Sequence, residues 1–303
     1  PGPVGVAAGL DKNGVAFPAL AALGWDFIEI GTVTLKPQPG NPKPRVFRLP
    51  DDHALINRMG FPGAGADQIA MNIVMRRKAN ACIGINIGPN KASVEAGPDA
   101  VIADCTELAR RFASLASYLV LNVSSPNTAR LRDLQGRAAV TELLTAIKAA
   151  IPERRPVPLF VKIAPDLTPA EISDIALAVH DAGVTGIVAT NTTISRPPNL
   201  RSRGRGETGG LSGTPVRDKS LKVIRQFANE TEGKLPIFGV GGIGSAADAV
   251  AAIEAGAWAV QVYTGMIYRG PHLANQIATG LSVELDRRGL SSLAELRGTG
   301  SPR

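Results

Sequence analysis

Eight times along this chain a short apolar or β-branched run gives way to a polar or glycine-rich turn and then to a helix-length segment. The runs occupy residues 5–8, 27–32, 82–86, 118–122, 159–163, 186–190, 236–240 and 259–262. Strands buried on both faces give continuous apolar runs of this kind, and helix-length connections between them imply parallel pairing. Eight β-then-α units in succession predict a (β/α)8 TIM barrel. The competing arrangement is a doubly wound open sheet. It calls for a GxGxxG turn after an early strand, whereas the glycines that follow a strand here come late, at Gly239, Gly241, Gly242 and Gly244.

The connecting segments carry helical signals. Residues 16–23 and 69–78 read as helices; Leu108, Phe112 and Leu115 share one face of residues 100–116, and Leu143, Leu144 and Ile147 share one face of residues 140–150. Thr168-Pro-Ala-Glu171 reads as a capping box with Pro169 at the first helical position, and Ser245-Ala-Ala-Asp248 as a similar start. A single barrel domain accommodates all 303 residues. Two insertions interrupt the repeat, residues 35–61, which begin rich in proline and basic side chains, and residues 194–213, rich in Arg and Gly. Both follow strands, so they are candidate walls or lids over the C-terminal face, where active sites of this fold are built.

Composition narrows the partners. With 44% hydrophobic and 19% charged residues, the chain can bury a large core and reads as an ordered globule. A net charge of +7 favours anionic ligands. The basic residues are scattered, aromatics are only 4%, and no nucleic-acid-binding signature occurs, so nucleic acid is not an expected partner. Cys82 and Cys105 are far apart and lack a CxxC partner, which argues against a disulfide framework or a zinc site. With no signal peptide and no apolar run of about 18 residues, the sequence reads as cytosolic or peripheral.

If the barrel forms, the strand ends converge on one bowl. They supply Ala8-Gly-Leu-Asp-Lys12, then Gly31 and Thr32, Asn86, Asn122 with Ser124 and Ser125, Lys162, Thr190-Asn-Thr192, Gly241 with Gly242, and Tyr263-Thr-Gly265. This lining is dense in amides and hydroxyls, with two lysines and almost no acid. Asn offers both a donor and an acceptor, so several of them can read the edge of a flat heterocycle. No His, Cys or carboxylate array has metal-ligand spacing. His53, His180 and His272 fall in an insertion, on a helix and at the start of the last helix, and read as structural rather than as general bases. Gly241-Gly-Ile-Gly244 with Thr264-Gly265 suits a phosphate held by backbone N–H groups. Lys162, inside a strand, is either half of a structural ion pair or a cation that stabilises a developing anion. Likewise, Tyr118-Leu-Val-Leu-Asn-Val-Ser-Ser-Pro-Asn-Thr128 ends either in an ordinary polar turn or in a reaction site.

Several motifs in one order carry a family resemblance. They are Ala7-Ala-Gly-Leu-Asp-Lys-Asn-Gly14, Glu29-Ile-Gly-Thr-Val-Thr34, Asn57-Arg-Met-Gly-Phe61, Gly84-Ile-Asn-Ile-Gly88 and Asn122-Val-Ser-Ser-Pro-Asn-Thr128. Val161-Lys-Ile-Ala-Pro-Asp166, Thr190-Asn-Thr-Thr193, Gly209-Gly-Leu-Ser-Gly213 and Gly239-Val-Gly-Gly-Ile243 continue the set. Over nearly its whole length the chain resembles the dihydroorotate dehydrogenase family. That resemblance implies FMN as cofactor, contacted by Ala8, Gly9, Thr32, Asn86, Asn122, Lys162 and Thr190, with Gly213, Gly242, Tyr263 and Thr264 around its phosphate end. It implies dihydroorotate or orotate held by Lys12, Asn57, Arg58, Met59, Gly60, Phe61, Asn122, Asn127, Asn191 and Thr192.

The family divides by catalytic base: soluble members use Cys, and membrane-associated, quinone-reducing members use Ser. Ser125 stands at the matching position, with residues 128–134 in the lid. The implied reaction moves a proton from C5 of dihydroorotate to Ser125 and a hydride from C6 to N5 of FMN, giving orotate for pyrimidine biosynthesis and passing the electrons to a membrane quinone. Quinone-linked members carry an N-terminal helical extension that attaches to the cytoplasmic face of a membrane and forms the quinone tunnel. This sequence opens at Pro1, just before its first strand run, so the expectation is a trimmed, soluble protein that keeps its flavin and has an incomplete quinone site. Two other functions fit the strand ends: a flavin-free lyase or isomerase acting on a phosphorylated metabolite, and a catalytically silent binding module.

Overall fold

The structure, a computed structural model, describes residues 2–77, 81–124 and 137–300. Its strands in chain order are β1 Val4–Val6, β2 Phe27–Val33, β3 Val46–Leu49, β4 Ala54–Asn57, β5 Cys82–Ile87, β6 Tyr118–Asn122, β7 Leu159–Ile163, β8 Gly186–Ala189, β9 Gly210–Gly213, β10 Ile237–Val240 and β11 Ala259–Val262. β1, β2, β5, β6, β7, β8, β10 and β11 pair in parallel in that order, and β11 returns to β1 to close a barrel. These are the eight runs that the sequence pattern marks as strands. The first is shorter at its end than expected, stopping at Val6 rather than at residue 8, although the Ala7 N–H still donates to the Val262 carbonyl at 3.0 Å.

Three of the helices between strands start where a side chain satisfies exposed N–H groups. Thr168 and Glu171 close a reciprocal capping box at the head of Pro169–Asp181. Ser245 accepts from the Asp248 N–H at 3.2 Å to begin Ala246–Glu254. Asp11 does the same work for Phe17–Ala22, accepting from the N–H groups of Val15, Ala16 and Phe17 at 2.8–2.9 Å. Among the described residues, no helix is long and apolar enough to cross a membrane.

The period-two alternation of strands sorts the core into two layers. Ile28 and Ile30, Ile83 and Ile85, Leu119 and Leu121, Leu159 and Val161 face outward and pack with the helices. Phe27, Tyr118, Phe160 and Phe238 face inward and plug the N-terminal end of the barrel, with Phe160 and Phe238 stacked at 4.5 Å. One step of two residues beyond this plug, two inward positions carry charge, Glu29 after Phe27 and Lys162 after Phe160, while Val120 and Val240 follow Tyr118 and Phe238. That boundary is where the site begins.

The insertions, expected only as walls or lids, pair with each other. β3 and β4 form an antiparallel hairpin, and β4 pairs antiparallel with β9 from the second insertion, placing Ala54 opposite Gly213 and Asn57 opposite Gly210. Leu49, Ile56, Leu200, Leu211 and Val216 give this sheet a small core of its own. Asp52 fastens it by accepting from the N–H groups of Arg201 and Ser202, each at 2.9 Å.

Candidate functional site

At the C-terminal end of the barrel a cavity of about 1060 Å³, counted with its open mouth, lies between the strand tips and the β3-β4-β9 sheet. Its floor is the polar layer above the aromatic plug. Lys162 is 5% exposed and lines the cavity, and its Nζ lies 3.6 Å from Oε1 of Glu29, which has no exposed surface at all. That separation is an electrostatic contact, too long for a strong hydrogen bond. The hydrogen bonds to Glu29 come from amides instead: Asn86 Nδ2 donates to Oε1 at 2.7 Å and Gln261 Nε2 to Oε2 at 2.6 Å. Lys162 is therefore half of a buried ion pair, the first of the two alternatives that the sequence left open, and it also lines the cavity.

One wall is built on a strand irregularity. Counting by twos from Phe27 would turn Thr32 outward. The β2–β5 register shifts between Ile30 and Val33, and Gly31 takes φ +115, a conformation that favours glycine; a Cβ there would lie 2.4 Å from the Asn86 carbonyl oxygen. Thr32 consequently faces inward, where its hydroxyl donates to Asn86 Oδ1 at 2.6 Å and accepts from Asn122 Nδ2 at 3.0 Å. Asn191 Nδ2 then reaches Asn122 Oδ1 at 3.3 Å and Ser124 Oγ at 3.1 Å. A chain of amides and hydroxyls thus runs from the floor to the rim, each member oriented by the next.

The opposite end suits a phosphate. Gly242 sits at φ +74, and a Cβ on it would fall 2.5 Å from the Cβ of Arg217, so only glycine fits. The turn is pinned by Asp248, which accepts from the Gly244 N–H at 3.1 Å and from Arg217 Nη1 at 3.1 Å. Ser212 and Thr264 share a hydroxyl contact of 2.9 Å beside it. Hydroxyls and side-chain-free N–H groups at a turn are what a phosphate needs.

Positive charge completes the lining. Burial, together with the charges of Arg45 and Lys162, holds the Lys12 ammonium down to about 8. A buried cation pushed toward neutrality in this way gains most from an anionic ligand. Among the described residues, no group of three or more His, Cys, Asp or Glu side chains is placed to hold a metal ion.

Of the residues expected at a ligand, Ala8, Gly9, Lys12, Thr32, Asn57, Met59, Gly60, Phe61, Asn122, Lys162, Thr190, Asn191, Thr192, Gly213, Gly242, Tyr263 and Thr264 all line this one cavity. Asn86 and Arg58 do not. Asn86 is fully buried behind Thr32, with its amide committed to Thr32 and Glu29. Arg58 stacks over Phe47 at 4.4 Å and pairs with Glu207 at 2.8 Å, holding the two insertions together. Ser125 and Asn127 lie outside the described residues. Glu29, Gln261 and Ser212 belong to the site without having been assigned to it from sequence. Gln261 Oε1 is buried and has no hydrogen-bond partner among the described residues, which leaves an acceptor for a donor brought by a ligand. The donor set, the leftover acceptor and the glycine turn together fit a polar heterocycle carrying a phosphate.

Comparison with known proteins gives one answer. A family model described as dihydroorotate dehydrogenase matches residues 1–285. A dihydroorotate dehydrogenase (quinone) of Cereibacter sphaeroides is 50% identical over 303 residues, covering 99% of this chain and 83% of that protein. A namesake from Erythrobacter litoralis is 48% identical over 299 residues, covering 99% and 85%. Among solved structures, ligand-free DHODH from Eimeria tenella superposes with a TM-score of 0.93 at 41% identity, covering 99% of this chain and 89% of that one.

Proposed function

This chain belongs to the dihydroorotate dehydrogenase family, and from that premise we propose that it oxidises dihydroorotate to orotate in pyrimidine biosynthesis and delivers the electrons to a quinone. The observation that carries the reading is a single cavity joining a glycine phosphate turn, a buried lysine floor and the Asn122–Asn191 pair. Family membership supports a flavin, and the phosphate turn supports FMN in particular. Nothing in the site favours a flavin-free lyase or isomerase.

In this reading FMN supplies the hydride acceptor for C6 of the substrate. Gly213, Gly242 and Thr264 hold the phosphate, and Lys162 presents its ammonium to negative charge that accumulates on reduction. Lys12 pairs with the substrate carboxylate. Asn122, Asn191 and Thr192 read the ring's alternating carbonyl and N–H groups, and Ser125 takes the C5 proton. Quinones partition into bilayers, which supports electron delivery at a membrane surface; in this reading the protein is peripheral and that surface is the cytoplasmic face.

Anaerobic mixing of the yellow protein with dihydroorotate tests this. The flavin absorbance should bleach with formation of orotate, and a colourless protein that FMN does not reconstitute would refute the proposal. A second expectation follows from Lys12. Its charged form is needed for the carboxylate and is lost as pH rises through about 8, so orotate binding should be flat below that pH and weaken above it, approaching tenfold per pH unit. Titration of the flavin spectrum with orotate from about pH 6 to about pH 10 measures this; an affinity that does not change across the range excludes Lys12 as the carboxylate's partner.

A further inference from the structure

A carboxylate that takes no part in the reaction lies directly under the cavity floor. Glu29 is completely buried, and its partners reach it from three other strands: Asn86 on β5, Lys162 on β7 and Gln261 on β11. Tyr118 on β6 closes the ring, with its hydroxyl 3.4 Å from Gln261 Nε2. Its phenol is pushed well above the ordinary range, first by burial and then by the charge of Glu29.

Burying a carboxylate is costly, and apolar side chains of similar volume usually fill such a position as well or better. Packing alone therefore does not explain an acid here. Each of its oxygens accepts from one amide, while Lys162 stays in electrostatic contact at 3.6 Å. The ammonium is held by charge beside Glu29, and Lys162 also lines the cavity. A flavin held in this cavity would therefore meet a lysine whose charge is offset from below rather than a bare cation.

We propose that Glu29 is a positioning residue that fixes Lys162 and, by offsetting its charge, sets the reduction potential of the flavin. This rests on the flavin reading above. Reduction adds negative charge to the ring system, so a more positive floor favours the reduced form and a more negative floor opposes it. Glu29 moderates the pull of Lys162 and keeps the reduced flavin able to give up its electrons.

The test is Glu29→Gln, purified with its flavin. The replacement is nearly isosteric, and the unpartnered Oε1 of Gln261 can accept from the new amide after a flip of the Gln261 side chain. The midpoint potential, measured by dye equilibration at mildly acidic pH, should rise, with the equilibrium constant for two-electron reduction increasing at least tenfold, about 30 mV. Glu29→Asp keeps the charge but withdraws it from Lys162, so its potential should fall between those of wild type and Glu29→Gln. Thermal melting of both variants reports whether only packing has changed. A wild-type potential in Glu29→Gln overturns the proposal; if only Glu29→Asp is soluble, an unshifted potential there does so. Failure of both to fold assigns Glu29 a purely structural role and also overturns it. Wild-type protein that takes up no flavin would instead refute the functional reading, which keeps the two failures distinct.

Discussion

Lys162→Met is expected to give a protein that loses its flavin on purification and is about 3–5 kcal/mol less stable than wild type. Two effects oppose each other in this substitution. Removing a buried ammonium relieves its desolvation, which by itself is stabilising. It also leaves the Glu29 carboxylate, with no exposed surface, supported only by the amides of Asn86 and Gln261. The second effect wins, because a buried ion pair broken from one side strands a whole charge in a medium that cannot solvate it. Flavin retention falls separately, since the ammonium is the cation at the cavity floor. Flavin absorbance relative to protein and denaturant unfolding read the two effects independently. A yellow Lys162→Met protein with wild-type stability would show that Lys162 neither pairs usefully with Glu29 nor faces the flavin. Adding Glu29→Gln to Lys162→Met should recover most of the stability, because the neutral pair leaves no stranded charge.

The barrel was legible because its strands are nearly continuous apolar runs, and the helices because their apolar faces and, for Pro169–Asp181 and Ala246–Glu254, their caps are local. The floor of the site was harder to read, since it is written in period two across partners far apart in the chain. Glu29 follows Phe27 by two residues as Lys162 follows Phe160, so each polar side chain shares an inward face with an aromatic plug residue. Gln261 lacks even that marker, because Ala259 occupies the plug position on its strand, and it meets Glu29 across 232 residues of sequence. Nothing local announces such a pairing.

Contiguity also misleads. Asn57, Arg58 and Met59 are consecutive in a motif that reads as one binding segment, but neighbours on an extended chain face opposite ways. Asn57 and Met59 line the cavity, and Arg58 goes to Phe47 and Glu207. Thr32 shows the reverse: simple alternation turns it out, and the register shift beside Gly31 turns it in. The pairing of β4 with β9 was invisible because both segments are short and the register that joins them, Ala54 to Gly213, exists only once the barrel has brought the insertions together.

Ser125→Ala should bind flavin and orotate nearly as wild type does, while the rate of flavin reduction by dihydroorotate falls about 10²–10⁴-fold, the usual contribution of a positioned general base. Lys12, Lys162, Thr190 and Asn191, which line the same cavity, lie on other strands or loops and are untouched. Those next to Ser125 in sequence are tied down independently: Ser124 accepts from Asn191 at 3.1 Å, and Asn122 bonds Thr32. A serine hydroxyl is a poor base at neutral pH, so the rate depends on a desolvated site and a route that carries its proton away. The alanine variant should therefore regain part of its rate as pH rises and hydroxide substitutes for the missing base, which a structural defect would not produce. Anaerobic stopped-flow bleaching of the flavin gives the rate directly. A loss of less than about tenfold, ~1.4 kcal/mol in the barrier, would remove Ser125 from the chemistry and leave proton abstraction to another group.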